Sequence, residues 1–596
     1  MSLIKIPGFK GGLADSLFDP LEKQTFQTAR NLNVIGEKNI LSPLSLFTDI
    51  NTPSVGADDN FSGINMIKGS NGKYYFVGHL TISSSEYITL YSTTSLAASP
   101  TWVLEFSVST GSALSNAIEE YKDKIFFGYG TTLKRWGGLN TSGETFTVTV
   151  ASPGVFTITG HTYVAGDTIE FQTTGGLPTG LAVATKYYIK TVATNTFEVA
   201  ATLGGSSINT SGSQSGVHSV TRASKTISTG LTTALDFLRE HKGLGKLFFI
   251  HDTGRLIGHF DNTTVTLAAL TLERDDTCVG AEPYDKWMVL GIRSSAKKDR
   301  FLIWDGSATT FDNYIPTGDI GLQAFRVIGS TIHYVVANST TGGQFFRYYK
   351  LKIGGEPQLI KEFKLGTTTG VTSTTHANID FVGDTFQFSF TGDTYSLLDQ
   401  VIWAHGSGGK NLPDMLAPLR TVLDGATTNK AFLAIKNLQE GLIILWRNNA
   451  LDRPYSIEAT GISGNITDDG VYQSNAFLLN DGKRGKIKRI KIMHKAMPTS
   501  CGFTVKVKHY GHYPVDGSVL AADSFTAITT SQGSGGSTGK TQSTDDATYT
   551  IIEDLDKFKE ADMAQIQIDF DEVSTTNAAS IIFPILIETV ATSGDI

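Results

Sequence analysis

Residues 245–251 are Gly-Lys-Leu-Phe-Phe-Ile-His, a turn followed by a short run of apolar and aromatic residues. The same unit, a Gly, Asp or Lys turn before a strand of large apolar residues, occurs at six other places: residues 72–78, 122–128, 285–291, 329–335, 383–389 and 439–445. A short apolar run bounded by turn residues is typical of a β-strand that is buried on both faces. The chain is therefore expected to be all-β and built from repeated strand pairs.

The spacing of these units favours a β-propeller. The strand after a unit often ends in an aromatic residue, as at Trp136, Phe260, Trp304 and Tyr349. When residues 141–222 are set aside, the units recur roughly every 40 to 56 residues, which is about the length of a four-stranded blade. Seven units predict six or seven blades, because the ring can close by sharing strands between the termini. A row of β-sandwiches is the alternative, since it also gives evenly spaced short strands.

Residues 141–222 interrupt the repeat after the sequence Trp136-Gly-Gly. They contain short alternating strands at residues 168–171, 187–190 and 196–199, separated by Gly, Pro, Thr and Asn turns. Such spacing is typical of a small antiparallel β module. Insertions are tolerated at surface loop tips, so we expect this module to stand off the propeller as an independent unit.

The pattern changes again near residue 461, where longer strands appear. Phe503, Val505 and Val507 alternate with polar residues, which predicts one buried and one solvated face. We interpret this region as a C-terminal β-sandwich. The predicted organisation is an N-terminal arm with the first strands (1–60), the first part of the propeller (61–140), the inserted module (141–222), the rest of the propeller (223–460) and the sandwich (461–596).

Composition supports the all-β class and limits the function. The 596 residues include 62 glycines, and only 18% are charged, which is typical of a turn-rich β protein. A net charge of -8 argues against a dedicated nucleic-acid binder, whose affinity rests on Lys and Arg. Cys278 and Cys501 are far apart in sequence and are interpreted as packed thiols. No apolar run suggests a signal peptide or a membrane span, so we expect synthesis and retention in a cytosol.

Three motifs that could carry chemistry are incomplete. Residues 533–541 resemble a phosphate-binding loop, but Ser534 occupies a required glycine position. Ser407 has the flanking glycines of a nucleophile elbow on one side only, because His405 replaces the first glycine. His509 and His512 would need at least one more ligand to hold zinc. We therefore interpret these segments as a loop, a β turn and a strand end.

The paired aspartates and the basic strand likewise do not require a catalytic or binding site to explain them. Residues 275–276 and 468–470 contain paired aspartates but lack the spacing of a calcium loop. A propeller glycosidase would need two converging carboxylates, and the nearest candidate for its repeated Asp-box turn, residues 95–102, lacks the Asp and Gly. The basic strand at 483–491 is expected to be solvated or to contact a neighbouring subunit rather than nucleic acid. The sequence thus predicts no enzyme activity and no catalytic, cofactor-binding or metal-binding residue.

The inserted segment resembles a known type of module. It contains His-Thr-Tyr-Val-Ala-Gly-Asp at 161–167, Thr-Thr-Gly-Gly-Leu-Pro-Thr-Gly-Leu at 173–181, Asn-Thr-Phe-Glu-Val-Ala at 195–200 and Gly-Val-His at 216–218. This pattern resembles a module that recurs, inserted in many contexts, in structural proteins of tailed-bacteriophage virions. The chain as a whole is similar in architecture to the β-propeller tail nozzle, or tail tubular protein B, of short-tailed phages. Residues 7–16 and 28–34 look similar to the N-terminal arm of those proteins.

The resemblance implies a role in the virion tail, assembled in the host bacterial cytoplasm. In the nozzle family six copies ring the distal end of the tail, form and gate a channel for DNA ejection, and attach fibres. It therefore implies a hexameric homo-oligomer with the tail adaptor and fibres as partners, and genomic DNA that passes without sequence-specific binding. The alternative is a receptor-binding or fibre-associated adhesin that would contact host glycans through the propeller or residues 141–222, and a propeller glycosidase is less favoured.

Overall fold

The computed structural model describes the greater part of the chain. The described residues are 2–7, 12–13, 20–30, 32–33, 40–43, 47–50, 60–82, 85–96, 100–109, 117–137, 144–161, 163–202, 204–235, 237–340, 343–365, 379–382, 385–388, 401–406, 416–421, 430–438, 441–448, 455–460, 470–480, 484–495, 501–511, 524–528, 539–541, 549–552, 558–572 and 580–592.

In the described part of residues 1–59, six short strands and one 3-10 turn, Leu21–Lys23, precede the repeated units. The strands are β1 (Ser2–Ile6), β2 (Gly12–Leu13), β3 (Thr25–Arg30), β4 (Leu32–Asn33), β5 (Ile40–Pro43) and β6 (Phe47–Ile50).

Within the described residues, seven antiparallel units of four strands follow, named blades 1 to 7 in chain order; six are separate four-stranded sheets, and blade 2 is continuous with the inserted module in one nine-stranded sheet. Blade 1 contains β7 (Asn60–Lys68), β8 (Tyr74–Ile82), β9 (Ser85–Thr93) and β10 (Val103–Ser109). Blade 2 begins with β11 (Ile118–Tyr121), β12 (Lys124–Tyr129) and β13 (Thr132–Trp136). The inserted module follows with β14 (Thr145–Val148), β15 (Phe156–Thr157), β16 (Thr168–Thr173), β17 (Lys186–Val192) and β18 (Thr196–Ala200), and blade 2 ends with β19 (His218–Ser228).

The remaining blades are uninterrupted. Blade 3 contains β20 (Phe237–His241), β21 (Lys246–His251), β22 (Leu256–Phe260) and β23 (Val265–Thr271); blade 4 contains β24 (Asp276–Tyr284), β25 (Trp287–Ser294), β26 (Arg300–Trp304) and β27 (Asn313–Pro316). Blade 5 contains β28 (Leu322–Ile328), β29 (Thr331–Thr340), β30 (Gly343–Lys352) and β31 (Pro357–Leu365). Blade 6 contains β32 (Ile379–Val382), β33 (Thr385–Phe388), β34 (Val401–Gly406) and β35 (Leu416–Thr421), and blade 7 contains β36 (Lys430–Leu438), β37 (Gly441–Asn448) and β38 (Tyr455–Thr460).

The blades form a closed ring. The first strand of each blade contacts the first strand of the next, and β36 of blade 7 contacts β7 of blade 1. The fourth strand of blade 7 is β6, which pairs with β38 in the register Ile457↔Ile50. The apolar run of each sequence unit lies in the second strand of one blade, and in β21 five consecutive residues are buried because neighbouring blades cover both faces. The predicted all-β propeller is confirmed.

Two further sheets form the sandwich. Its C-terminal strands are β39 (Val471–Ser474), β40 (Phe477–Leu478), β41 (Gly485–His494), β42 (Cys501–Tyr510), β43 (Thr526–Ala527), β44 (Gly539–Thr541), β45 (Tyr549–Ile552), β46 (Met563–Glu572) and β47 (Ile581–Ala591). One sheet has the order β4-β5-β47-β41-β45 with β1 beside β47, and the other has the order β2-β3-β39-β46-β42-β43 with β40 and β44 at its sides. The core between them contains Phe503, Val505 and Val507, while the alternating residues of β42 are half-buried, as the sequence pattern indicates.

The N-terminal residues are distributed between both parts of the fold. β1 pairs with β47 and β3 pairs with β39, so both belong to the sandwich, whereas β6 completes blade 7. The sequence predicts an N-terminal arm with the first strands at residues 1–60, and β1, β3 and β6 of that segment lie in the sandwich and in blade 7. The partner of a short strand is set by long-range pairing, which leaves no local periodicity in the sequence.

Among the described residues, no helix has the length and apolar character needed to span a membrane.

Candidate functional site: the junction of the inserted module and the propeller

The inserted module has a hydrophobic core of its own. The Phe156 ring stacks between Phe171 and Phe197, with centroid distances of 5.0 and 5.3 Å. The other buried residues of this core are Phe146, Val148, Ile158, Tyr163, Ile169, Tyr187, Ile189, Val199 and Val220. A separate core of this kind explains how the segment folds as an insertion within one blade.

One strand belongs to both the module and the propeller. The first half of β19 pairs with β14 and β16 of the module, in the registers Phe146↔His218 and Ile169↔Ala223. Its second half pairs with β13 of blade 2. Because a paired strand is stiffer than a loop, the module is continuous with the blade sheet on this side.

A buried ion pair joins the two parts at the same place. The ammonium of Lys134, on β13, contacts the carboxylate of Asp167, in the turn before β16, and their side chains are 2% and 0% exposed. Backbone N–H groups of Val164 and Thr226 donate to Asp167 Oδ2 at 3.0 and 3.3 Å. Burial lowers the pKa of Lys134, and the Asp167 charge opposes that shift. The pair holds the module on blade 2, because moving the module away would separate two charges that stabilise each other in the buried site.

The module also contacts blade 1. Lys186, on β17, donates a hydrogen bond to the Leu104 carbonyl on β10 and lies 4.0 Å from the Glu105 carboxylate. Its ammonium lies 5.7 Å from the centroid of the Trp136 ring of blade 2. Lys134 lies 4.9 Å from the Phe106 ring of blade 1. The module therefore covers the boundary between blades 1 and 2.

A second polar cluster lies beside the ion pair. The Tyr163 hydroxyl donates to Glu144 at 2.8 Å, and burial together with this carboxylate raises the pKa of Tyr163 well above its usual range. Burial lowers the pKa of Arg135, the neighbour of Lys134 on β13, while Tyr163 and Glu144 oppose that shift. The Tyr163–Glu144 hydrogen bond lies within the module, and the electrostatic interaction of this pair with Arg135 crosses to blade 2.

The module carries an open cleft of about 500 Å³, lined by residues 145–148, 157–159 and 214–218. Polar side chains line much of it: Thr145, Thr147, Thr157, Thr159, Gln214 and His218. At its base the His218 Nε2 lies 3.1 Å from Gln214 Oε1, and Nδ1 lies 2.8 Å from the Thr173 hydroxyl. An amide oxygen only accepts hydrogen bonds, so Nε2 donates to Gln214 and neutral Nδ1 accepts from Thr173. Such a cleft offers hydroxyl and amide groups to a polar ligand.

The stability of the module is expected to fall in acid because of His218. Burial lowers the pKa of its imidazole below the usual 6.5, so between the two values the unfolded chain binds more protons than the folded one and stability rises with pH. The midpoint of thermal unfolding should therefore be lower at about pH 5.5 than at about pH 7.5, and His218→Gln should reduce this difference. Calorimetry at the two pH values checks this, and equal pH dependence in both proteins would contradict it.

The motifs considered from sequence lie apart from this junction. In the phosphate-loop-like segment, Gly539–Thr541 forms β44 and pairs with β42, while residues 533–538 lie outside the described residues. His405 is in β34, and residues 407–409 are likewise not described. His509 is buried and its Nε2 lies 3.3 Å from the Lys559 backbone nitrogen; His512 lies outside the described residues.

The charged segments form ion pairs within the fold. Asp276 contacts Arg300 across blade 4, and within the described ranges no group of three His, Cys, Asp or Glu residues is placed to hold a metal ion. Residues 468–469 lie outside those ranges. On the basic strand β41, Arg489 Nε lies 3.2 Å from Glu588 of β47. The Cys278 thiol is buried, and its Sγ donates to the Gly280 carbonyl oxygen at 3.2 Å.

Sequence reasoning missed Lys134, Asp167 and Lys186, the residues that hold the module. One signal was present for Lys134. It lies between Leu133 and Arg135 in a blade strand whose two faces are covered, and a lysine in such a strand requires a buried partner. No sequence signal identified the partner, because Asp167 is 33 residues away on the module.

Comparison with known proteins identifies no family for this chain. No protein-family model and no curated protein matches it. Solved structures with similar folds include the phage phi92 endosialidase, with a TM-score of 0.31 and 10% identity over 70% of this chain and 69% of that chain. They also include the WD40 β-propeller domain of Doa1 (TM-score 0.35, 8% identity, 70% and 97% covered) and the β-propeller domain of Myceliophteria thermophila Cps50 (TM-score 0.34, 7% identity, 67% and 99% covered). At these TM-scores no functional inference follows.

Proposed function

We propose that this chain is a structural component of a bacteriophage tail, and specifically the distal nozzle ring that forms and gates the DNA-ejection channel and supports fibres. The observation that carries the proposal is the inserted module, whose sequence resembles a module of tailed-phage virion proteins. In this chain the module is fixed to the propeller by a shared strand, β19, and by the buried Lys134–Asp167 pair. A fixed projection of this kind suits a part that docks against neighbouring virion proteins.

The proposed mechanism is mechanical rather than enzymatic. Six copies would surround a lumen, contacts with the tail adaptor would hold the ring, and receptor engagement at the fibres would shift the loops that constrict the channel. A net charge of -8 suits walls that DNA must pass, since like charge repels the phosphate backbone. No sequence-specific contact with DNA is required.

The oligomeric state in the particle tests this proposal. We expect electron microscopy of the virion that carries the protein to show a closed sixfold ring at the distal end of the tail. A nanobody raised against the module should decorate that ring six times, and a nanobody against a capsid protein serves as the control. Threefold spikes containing this chain, or a monomer attached at the side of the tail, would contradict the nozzle assignment.

An adhesin is the second candidate, and the polar cleft of the module is the observation that favours it. Threonine hydroxyls and the Gln214 amide could hydrogen-bond to host glycans. Saturable binding of host glycans by the full chain, lost in Gln214→Ala and retained in Thr185→Ala outside the cleft, would favour the adhesin. Release of sugars from host polysaccharide would instead indicate a glycosidase.

A further inference from the structure

Charged residues on the inner strands link four consecutive blades. Arg239 of blade 3 lies 3.9 Å from Glu119 of blade 2 and 2.9 Å from Glu282 of blade 4. Arg326 of blade 5 contacts the same Glu282 oxygen. These four residues, named the charge belt, therefore alternate in sign from blade to blade.

Each residue of the charge belt occupies the same register position. It lies two residues before the last paired residue of its inner strand: the last pairs are Tyr121↔Lys124, His241↔Lys246, Tyr284↔Trp287 and Ile328↔Thr331. By strand register alone, the same position holds Asp380 in blade 6 and Lys436 in blade 7, whose last pairs are Val382↔Thr385 and Leu438↔Gly441. The alternation of negative and positive residue types at this position therefore continues from blade 2 to blade 7.

Blade 1 interrupts this alternation. Its hairpin is extended by one pair, because the Gly69 N–H donates to the Lys73 carbonyl at 2.8 Å, so the matching position is Ile67. A ring of seven positions cannot alternate in sign throughout, since an odd ring brings two like charges together somewhere. An apolar residue at one position avoids that repulsion. The cost is that Ile67 cannot form an ion pair with either neighbouring blade.

Other contacts hold blade 1 to blade 2. Apolar side chains from both blades form one cluster: Tyr75, Val77, Ile88, Leu90, Phe106, Ile118, Ile125, Phe127 and Trp136. The Ser70 N–H donates to Glu120 at 2.8 Å. The module adds Lys186, which reaches from β17 across to Leu104 and Glu105 on the outer strand of blade 1.

We propose that the inserted module acts as a clasp for the propeller, closing the blade 1–2 boundary at which the charge belt is interrupted. Lys186 is the residue that makes this link, since it is carried by the module, which is fixed to blade 2, and contacts blade 1. The role is internal to the chain and does not depend on the proposed place in a phage tail. It gives the module a function in holding the ring closed in addition to any contact with partners.

Hydrogen exchange in the full-length protein tests the clasp. We expect Lys186→Ala to speed amide exchange in β9 and β10 of blade 1 by about three- to fivefold, the factor that matches loss of a partly exposed ion pair and hydrogen bond. Exchange in blades 4 and 5 should not change. Lys190→Ala is the matched control, because Lys190 lies on the same strand β17 but bonds to Gly205 within the module, at 2.8 Å.

A second variant changes the blade 1 partner of the same contact. Glu105→Gln removes the charge facing Lys186 and can still accept a hydrogen bond from Ser92, which lies 2.6 Å from Glu105. We expect it to produce the same local increase in exchange in β9 and β10. Unchanged exchange in both variants, or an equal increase across all blades, would overturn the proposal.

Discussion

Replacing Lys134 by Met is expected to destabilise the module and blade 2 by about 3–5 kcal/mol. The substitution preserves the length of the apolar stem but leaves the fully buried Asp167 carboxylate without its cation. The remaining donors, Val164 N–H, Thr226 N–H and the Ser224 hydroxyl, hydrogen-bond to the carboxylate without neutralising its charge. Chemical denaturation measures the change, and hydrogen exchange in β13, β16 and β19 locates it.

A double-mutant cycle separates this ion pair from general packing. Asp167→Asn alone should also be destabilising, because it leaves the Lys134 ammonium buried. The double variant Lys134→Met/Asp167→Asn should be more stable than either single variant, since no unpaired charge remains. Additive losses in the double variant would show that the two side chains act independently and would contradict the assignment.

Replacing Glu282 by Gln is expected to lower the free energy of unfolding of the propeller by about 2–3 kcal/mol. Glu282, 8% exposed, receives hydrogen bonds from both Arg239 and Arg326, so Glu282→Gln removes the negative charge that lies between two guanidinium groups, while Arg239 keeps Glu119 at 3.9 Å. The estimate is below that for Lys134 because Arg239 is 22% exposed and water screens part of the repulsion. The midpoint of denaturant unfolding measures the effect.

The matched control lies in the same region of the chain. Glu273 pairs with Lys297 at the surface, and the two side chains are 65% and 53% exposed. Glu273→Gln removes the same charge from a solvated pair, and we expect no measurable change in the unfolding midpoint. Equal effects of Glu273→Gln and Glu282→Gln would mean that the charge belt contributes no more than a surface pair.

Much of the fold could be predicted from local sequence, because blade strands leave a local signature. The run Leu247-Phe-Phe-Ile250 is apolar without alternation since both faces are buried, and the turns before such runs set the repeat. The place of β6 in blade 7 could not be predicted in the same way. Its partner β38 is about 400 positions away, and four residues of strand carry no information on a partner at that distance.

For the candidate site, the sequence predicted where the inserted module begins and ends but not which residues attach it. The broken spacing of the repeat located the module, but its attachment depends on tertiary contacts such as Lys186 with Glu105. The charge belt was also hidden, since Glu119 and Arg239 are ordinary surface residue types in sequence. Their relation becomes visible only when hairpin registers align them.

The pairing of β1 with β47 bears on the order in which the protein can fold. Ser2 lies opposite Thr589, and β6 must reach β38 to close the ring, so β1 and β6 find these partners only after residues 581–591 and 455–460 have been synthesised. Contacts of such long range form slowly, because a large loop must close first. Until blade 7 is made, β6 therefore lacks its partner strand, and its unpaired edge is open to aggregation.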